Sequence, residues 1–199
     1  MFGIKEGEYL VRLARKTIET YLREGRPPKV GDVPEKFRER AGVFVTLESY
    51  PDKELRGCIG YPEPVYPLID ALIKAAVSAA TRDPRFTPVS LEEMDNLVVE
   101  VSVLSKPELI KAPPRDYPKK IILGRHGLIA ERGFNRGLLL PQVAMDEGWD
   151  AEEFLSHTCM KAGLMPDAWL QRGTKIYRFE GIVFAEVSPR GKVVERKLA

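Results

Sequence analysis

The chain is poor in the residues that build disulfide scaffolds and metal sites: 199 residues include two cysteines and two histidines. Cys58 and Cys159 lie far apart and form no C-x-x-C pair, which excludes a disulfide-rich scaffold. No apolar run approaches the roughly 20 residues that span a bilayer. The first residues lack the apolar region of a signal peptide, so we expect a cytoplasmic protein.

The chain also lacks a charge excess, since 31 basic residues face 29 acidic ones and leave a net charge of +2. Nucleic-acid binding normally needs a basic excess or stripe and is therefore disfavoured. Phosphate-loop and dinucleotide fingerprints are missing, so no cofactor is indicated. The few asparagines and glutamines among many charged residues are typical of thermophilic proteins.

Hydrophobic periodicity predicts both helices and strands without regular βαβ units. The predicted helices cover 5–24, 67–82 and 151–162. The predicted strands cover 43–47, 97–104, 119–123, 128–131, 137–140 and 174–187. This mixture favours an α+β fold, with a mixed or antiparallel sheet flanked by helices. At this length we expect a single domain over 1–199 that forms two lobes around a shared core.

The segment Leu55-Arg56-Gly57-Cys58-Ile59-Gly60 is the strongest candidate site. In an extended segment, Arg56 and Cys58 share one side, where a guanidinium would stabilise the thiolate and lower its pKa. Gly57 and Gly60 would let a ligand approach the backbone closely. The alternative is a structural one, because a free cysteine often serves as a small buried hydrophobe.

A cysteine nucleophile needs a base, and the two histidines are the candidates. His126 stands in the turn Gly124–Gly127, where we expect it to be exposed and able to reach a cleft. His157 falls off the apolar stripe of its helix, and Cys159 lies near that stripe as a core residue. The spacing of these residues does not match that of zinc sites, so no metal is expected.

A second candidate constellation consists of Arg56, Arg82 and Arg85. Arginine binds carboxylate and phosphate groups bidentately, so these three side chains could form a pocket for an anion. In the structural alternative, Arg82 complements the end of its helix, and Arg85 pairs with Asp83 or a nearby glutamate.

The segment Leu55–Gly60 resembles the signature of the AMMECR domain family. The resemblance continues through Arg82-Asp83-Pro84-Arg85-Phe86, Glu100–Leu104, Leu139–Val143 and Cys159–Leu164 and covers nearly the whole chain. It implies an intracellular α+β domain of two lobes. It also implies an association with Memo-like and radical-SAM proteins, and it carries no established substrate or catalytic residue.

Two hypotheses follow for function. In the first, Arg56, Gly57, Cys58 and Gly60 line a pocket for a small, anionic ligand or substrate, with help from Arg82, Arg85 or His126. Cys58 would be its catalytic residue if the protein is an enzyme. In the second, the signature is a structural turn of a non-catalytic module that docks Memo-like or radical-SAM partners. A buried signature favours the module, and an open cleft with convergent polar groups favours the pocket.

Overall fold

The structure is a computed structural model that describes residues 2–196. The α-helices of this range are α1 (Ile4–Glu24), α2 (Glu35–Arg38), α3 (Leu68–Thr81), α4 (Pro141–Glu147) and α5 (Ala151–Lys161). Its strands are β1 (Gly42–Ser49), β2 (Leu55–Tyr61), β3 (Leu97–Leu104), β4 (Glu108–Leu109), β5 (His126–Arg132), β6 (Asn135–Leu139), β7 (Lys175–Glu186) and β8 (Val193–Arg196). The predicted α+β class is confirmed, since helices flank strands whose pairings within each unit are antiparallel.

The three predicted helices are confirmed as α1, α3 and α5, and five of the predicted strands as β1, β3, β5, β6 and β7. The strand predicted at 119–123 is wrong, because Pro118 starts a 3-10 turn there. The N–H of Ile122 then donates to the ring of His126 at 3.0 Å. No predicted element covers α2, α4, β4 or β8, since such short elements show no clear period. β2 is also absent from the predicted strands, because its two glycines interrupt the apolar pattern.

The chain divides into two compact units. The first unit runs to Leu104 and resumes at Ile182, and the second covers Ser105–Gly181. The buried side chains form two clusters, one in each unit. The cluster of the second unit is formed by one continuous stretch of the chain, from Ile110 to Ile176.

In the first unit, β1 lies between β2 and β3, which leaves β2 at the edge of the sheet. α3 packs across β1 and β2, and α1 packs on α3 and β3. The alanine-rich α3 buries Ala75, Ala76, Ala79 and Ala80. These small side chains let the helix backbone come close to the sheet. One face of β2 is therefore sealed by α3.

A buried ion pair ties α1 to the returning chain of the first unit. Glu186 is fully buried and accepts hydrogen bonds from Arg15 at 2.6 and 2.8 Å and from the N–H of Val99 at 3.0 Å. Arg12 adds a further bond to Glu186 at 3.2 Å. A buried carboxylate is tolerated only when it is paired and hydrogen-bonded in this way.

In the second unit, the first half of β7 pairs with β5 and β4, and β5 pairs in turn with β6. α5 begins at Asp150, which forms a capping box with Glu153 as the sequence suggests. α5 buries its own Phe154, Leu155 and Cys159 completely. No helix in the described range is both long and apolar enough to cross a membrane.

Candidate functional site

The signature segment forms the edge strand β2, and its register with β1 decides which way each side chain faces. Cys58 is paired with Thr46, and Gly57 with Leu47. Gly57 faces α3, where an added Cβ atom would lie 2.2 Å from the carbonyl oxygen of Ala79. Since side chains alternate along a strand, Cys58 faces away from α3, on the opposite side of the sheet.

The glycines of the signature serve the packing of the protein itself. A Cβ atom on Gly57 would collide with the backbone of α3, as described above. A Cβ atom on Gly60 would lie 2.4 Å from the ring of Phe44 and from the carbonyl oxygen of Val43. Both positions therefore need glycine for close packing within the protein, and the ligand access expected from them stays a prediction.

A row of three polar side chains crosses the sheet on the face that carries Cys58. Thr46 is the register partner of Cys58 on one side and of Glu100 on the other. The Thr46 hydroxyl donates a hydrogen bond to Cys58 Sγ at 3.3 Å. Cys58 and Glu100 are both half-buried. The row therefore brings a thiol, a hydroxyl and a carboxyl group to one face of the sheet.

The row ends in an ion pair with the last described strand. Arg196 Nη1 lies 2.7 Å from Glu100 Oε2 and 3.2 Å from Glu48 Oε2. Burial raises the pKa of Glu100, and the negative charge of Glu48 raises it further. Arg196 lowers this pKa but does not cancel the other two effects. Glu100 is therefore easier to protonate than an ordinary glutamate.

Cys58 is a neutral thiol at rest. Burial raises its pKa, because the thiolate loses solvation, and the charges of Glu100 and Asp83 act in the same direction. The Thr46 hydrogen bond and the Arg85 guanidinium act against these effects without overcoming them. The net effect of these contacts favours the thiol, which can donate or accept a hydrogen bond, over the nucleophilic thiolate.

The backbone of Cys58 is held by two side chains from the loop after α3. Asp83 Oδ2 accepts the Cys58 N–H at 2.9 Å, and Arg85 donates to the Cys58 carbonyl oxygen at 3.4 Å. Arg85 also forms two side-chain hydrogen bonds with the Asp83 carboxylate, at 2.7 and 3.0 Å. These two residues satisfy the edge of β2 where no neighbouring strand does so. The structural alternative for Arg85, pairing with Asp83, is confirmed.

Arg56 is engaged elsewhere and does not stabilise the thiolate as the sequence suggests. Its guanidinium donates to both carboxylate oxygens of Glu93, at 3.1 and 3.3 Å, and to the carbonyl oxygen of Thr87 at 2.9 Å. The cation that acts on Cys58 is Arg85. Arg82 is exposed at the end of α3. Two of the three arginines of the predicted anion pocket are thus neutralised by carboxylates.

His126 is buried at the start of β5, which corrects the expectation of an exposed turn residue. Its Nδ1 accepts the N–H of Ile122 at 3.0 Å, and its Nε2 lies 3.6 Å from Glu180 Oε1. Burial lowers the pKa of His126. Both ring nitrogens have partners within the second unit, so nothing in their geometry marks His126 as a base for Cys58.

The remaining cysteine and histidine belong to the second unit. Cys159 is fully buried, as its position near the apolar stripe predicts, and burial raises its pKa to about 11. The ring of His157 stacks on that of Trp149 with centroids 3.8 Å apart. Over residues 2–196, no group of three or more His, Cys, Asp and Glu side chains is arranged to hold a metal ion.

Sequence reasoning missed the groups that surround Cys58, namely Thr46, Asp83 and Glu100. Asp83 lies between Arg82 and Arg85 in the motif Arg82–Phe86. An acidic residue between two arginines is a sequence pattern that could have identified it as a site residue. Thr46 and Glu100 are polar residues within mostly apolar strands. This pattern marks each position singly, and only the strand register brings the two residues beside Cys58.

Comparison with known proteins identifies relatives over the full chain. The AMMECR1 family model matches residues 11–184. Protein MJ0810 of Methanocaldococcus jannaschii is 61% identical over 100% of this chain and 98% of its own, and protein PF1979 of Pyrococcus furiosus is 58% identical over 100% and 97%. The crystal structure of protein PH0010 of Pyrococcus horikoshii has a TM-score of 0.84 and 55% identity, with 99% of both chains covered. The names of these archaeal proteins state no activity.

Proposed function

The chain belongs to the AMMECR1 family, and from this premise we propose that its first unit binds a small polar molecule at Cys58. One observation carries the proposal: the register of β1 puts Cys58, Thr46 and Glu100 in one row on the face opposite α3. Polar groups that converge on a half-buried surface are typical of ligand sites. Perturbed ionisable groups, such as this thiol and carboxyl, also cluster at such sites.

The ligand that suits this row is recognised by hydrogen bonds. The anionic ligand predicted from the sequence depended on three guanidinium groups, and those of Arg56 and Arg85 are paired with Glu93 and Asp83. The row itself offers a thiol, a hydroxyl and a carboxyl group whose charge is balanced by Arg196. We therefore propose a neutral polar molecule with both donor and acceptor groups.

Enzymatic use of Cys58 requires loss of the thiol proton, because the thiolate is the nucleophilic form. Within the row, Glu100 is the ionisable group that acts electrostatically on the thiol. The charge of Glu100 disfavours the thiolate, so the arrangement supports binding better than nucleophilic catalysis. Both cysteines are free, which suits a reducing compartment and supports the proposed cytoplasmic localisation.

The proposal is tested by screening a library of small polar fragments against the wild-type protein and three variants. Cys58→Ala and Thr46→Val each remove one group of the row, and Glu54→Gln changes an exposed carboxylate outside it. Fragments that bind the wild-type protein and the Glu54 variant, but neither row variant, support the site. Fragments that bind all four proteins equally contradict it.

A second candidate is the non-catalytic module, which the internal roles of Arg56, Gly57 and Gly60 favour. In this function the signature holds β2 in place, and a protein partner docks on another surface. The Memo-like and radical-SAM partners suggested by the family resemblance belong to this candidate. Cys58→Ala should then leave partner binding intact, whereas Gly57→Ala should weaken it through loss of the fold.

A further inference from the structure

The hairpin of β5 and β6 carries an exposed phenylalanine at its tip. Arg132 and Asn135 are register partners, which leaves Gly133 and Phe134 as a two-residue turn. Gly133 takes the positive φ of 61° that the turn requires. The ring of Phe134 is fully exposed to solvent. An aromatic ring in this position contributes nothing to the cluster of buried side chains in its own unit.

An open groove of about 410 Å³ lies beside this tip, within the second unit. Its lining includes Arg132, Phe134, Leu164, Met165, Ala168 and Gln171. Of these side chains, Met165 is 69% exposed. Exposed apolar groups that adjoin one another, rimmed by polar residues, mark interaction surfaces more often than isolated ones do. We call the surface formed by these lining residues the hairpin groove.

The charged residue in the lining of the hairpin groove is Arg132. Its guanidinium donates to the amide oxygen of Gln171 at 2.7 Å, and the Gln171 amide donates in turn to Asp167 at 3.3 Å. The direct partner of Arg132 is thus neutral, in contrast to the carboxylates that engage Arg56 and Arg85 in the first unit. The guanidinium beside the apolar side chains favours a carboxylate on whatever covers them.

We propose that the hairpin groove docks a segment of a partner protein in which an apolar side chain is flanked by carboxylates. The apolar side chain packs against Phe134, Leu164 and Met165, and a carboxylate pairs with Arg132. The groove is open, and Phe134 and Met165 of its lining are both largely exposed. An extended protein segment covers both side chains at once.

The test uses an array of peptides about twelve residues long, in which leucine, phenylalanine and tryptophan alternate with aspartate and glutamate. A matched array carries lysine and arginine at the acidic positions. The full-length protein should bind members of the acidic array in preference to their basic counterparts. Phe134→Ala and Arg132→Gln should each weaken the best acidic peptide by about tenfold or more, as expected for central contacts.

The control variant is Ile122→Ala, which removes a 53% exposed apolar side chain of the same unit from outside the groove. It should leave binding unchanged. Arg132→Glu should reverse the preference and favour the basic array, an outcome that general loss of folding cannot produce. Sedimentation should give the same molecular mass for the wild-type protein and for Phe134→Ala, because the groove does not hold a second copy.

Three results would overturn the proposal. The first is that no acidic peptide binds better than its basic counterpart. The second is that peptide binding survives unchanged in Phe134→Ala or Arg132→Gln. The third is a dimer that Phe134→Ala dissociates, which would make a second copy the occupant of the hairpin groove.

Discussion

Asp83 accepts the backbone N–H of Cys58 at 2.9 Å, although 25 residues separate the two positions in sequence. The Asp83 side chain is only 2% exposed and is held by Arg85. The Arg82–Phe86 motif thus serves the signature strand directly, because it supplies the hydrogen bonds that an edge strand lacks at this point.

Asp83→Asn should lower the free energy of unfolding by about 1–3 kcal/mol at neutral pH, since it weakens the acceptor for Cys58 and leaves Arg85 unpaired. Hydrogen bonds from Arg85 and Cys58 hold the pKa of Asp83 well below its ordinary value of about 3.9. As the pH falls through that ordinary value, the unfolded chain binds a proton that the folded chain does not. The stabilisation by Asp83 is therefore lost on acidification.

Guanidinium unfolding of the wild-type protein and Asp83→Asn at several pH values measures this contribution. The difference between the two proteins should be largest near neutrality and should shrink in acid. A constant difference over the whole range would show that the charge of Asp83 has no part in its role.

Gly57→Ala should destabilise the first unit by about 1–3 kcal/mol or more, because its Cβ atom would meet the carbonyl oxygen of Ala79 at 2.2 Å. The matched control is Gly31→Ala, where the added atom meets nothing within 4 Å. Surface changes of that kind stay within about 0.5 kcal/mol of wild type. Thermal unfolding of the two variants side by side tests the packing role of Gly57, and equal effects would refute it.

Arg85→Gln should raise the pKa of Cys58, because it removes the cation that favours the thiolate. Arg56→Gln should leave that pKa unchanged, since its guanidinium is held by Glu93 and Thr87. The pH dependence of Cys58 alkylation measures both effects. A shift with Arg56→Gln alone would restore the role that the sequence suggests for this arginine.

Glu186→Gln should lower the free energy of unfolding by about 1–3 kcal/mol or more, because Arg15 loses its fully buried carboxylate partner and keeps Glu19 alone as a counter-charge at 3.2 Å. Glu8 offers a matched control: it is 52% exposed and lies 3.6 Å from Arg12. Glu8→Gln should change stability by less than about 0.5 kcal/mol. Chemical denaturation separates the two variants, and a small effect of Glu186→Gln would remove this ion pair from the account of the core.

Local patterns were sufficient to predict most elements of the fold. The period of α1 and the alternation of β3 stand out because both elements are long and have one buried face. β8 and α4 are too short for such signals. The prediction that His126 is exposed is wrong. Glycines on both sides suggest an exposed turn, whereas the buried ring contacts the N–H of Ile122 and the carboxylate of Glu180.

The candidate site could be predicted only in part. Cys58 and its glycines are visible as a motif, but the partners of that motif come from distant positions. Thr46 reaches Cys58 through strand register, and Glu93 reaches Arg56 across 37 residues. A single sequence carries no signal for such long-range pairing. The prediction therefore assigns the charge of Arg56 to the Cys58 thiolate, whereas Glu93 neutralises it.

The most direct test of the proposed site is the alkylation of the native protein by iodoacetamide, with each cysteine quantified by mass spectrometry. Cys159 is fully buried and serves as an internal control. A small-molecule site at Cys58 predicts that Cys58 is modified and Cys159 is not, with the rate rising above neutral pH because burial raises the pKa of the Cys58 thiol. If the folded protein protects Cys58 as fully as Cys159 at alkaline pH, small molecules do not reach the row and the account is contradicted.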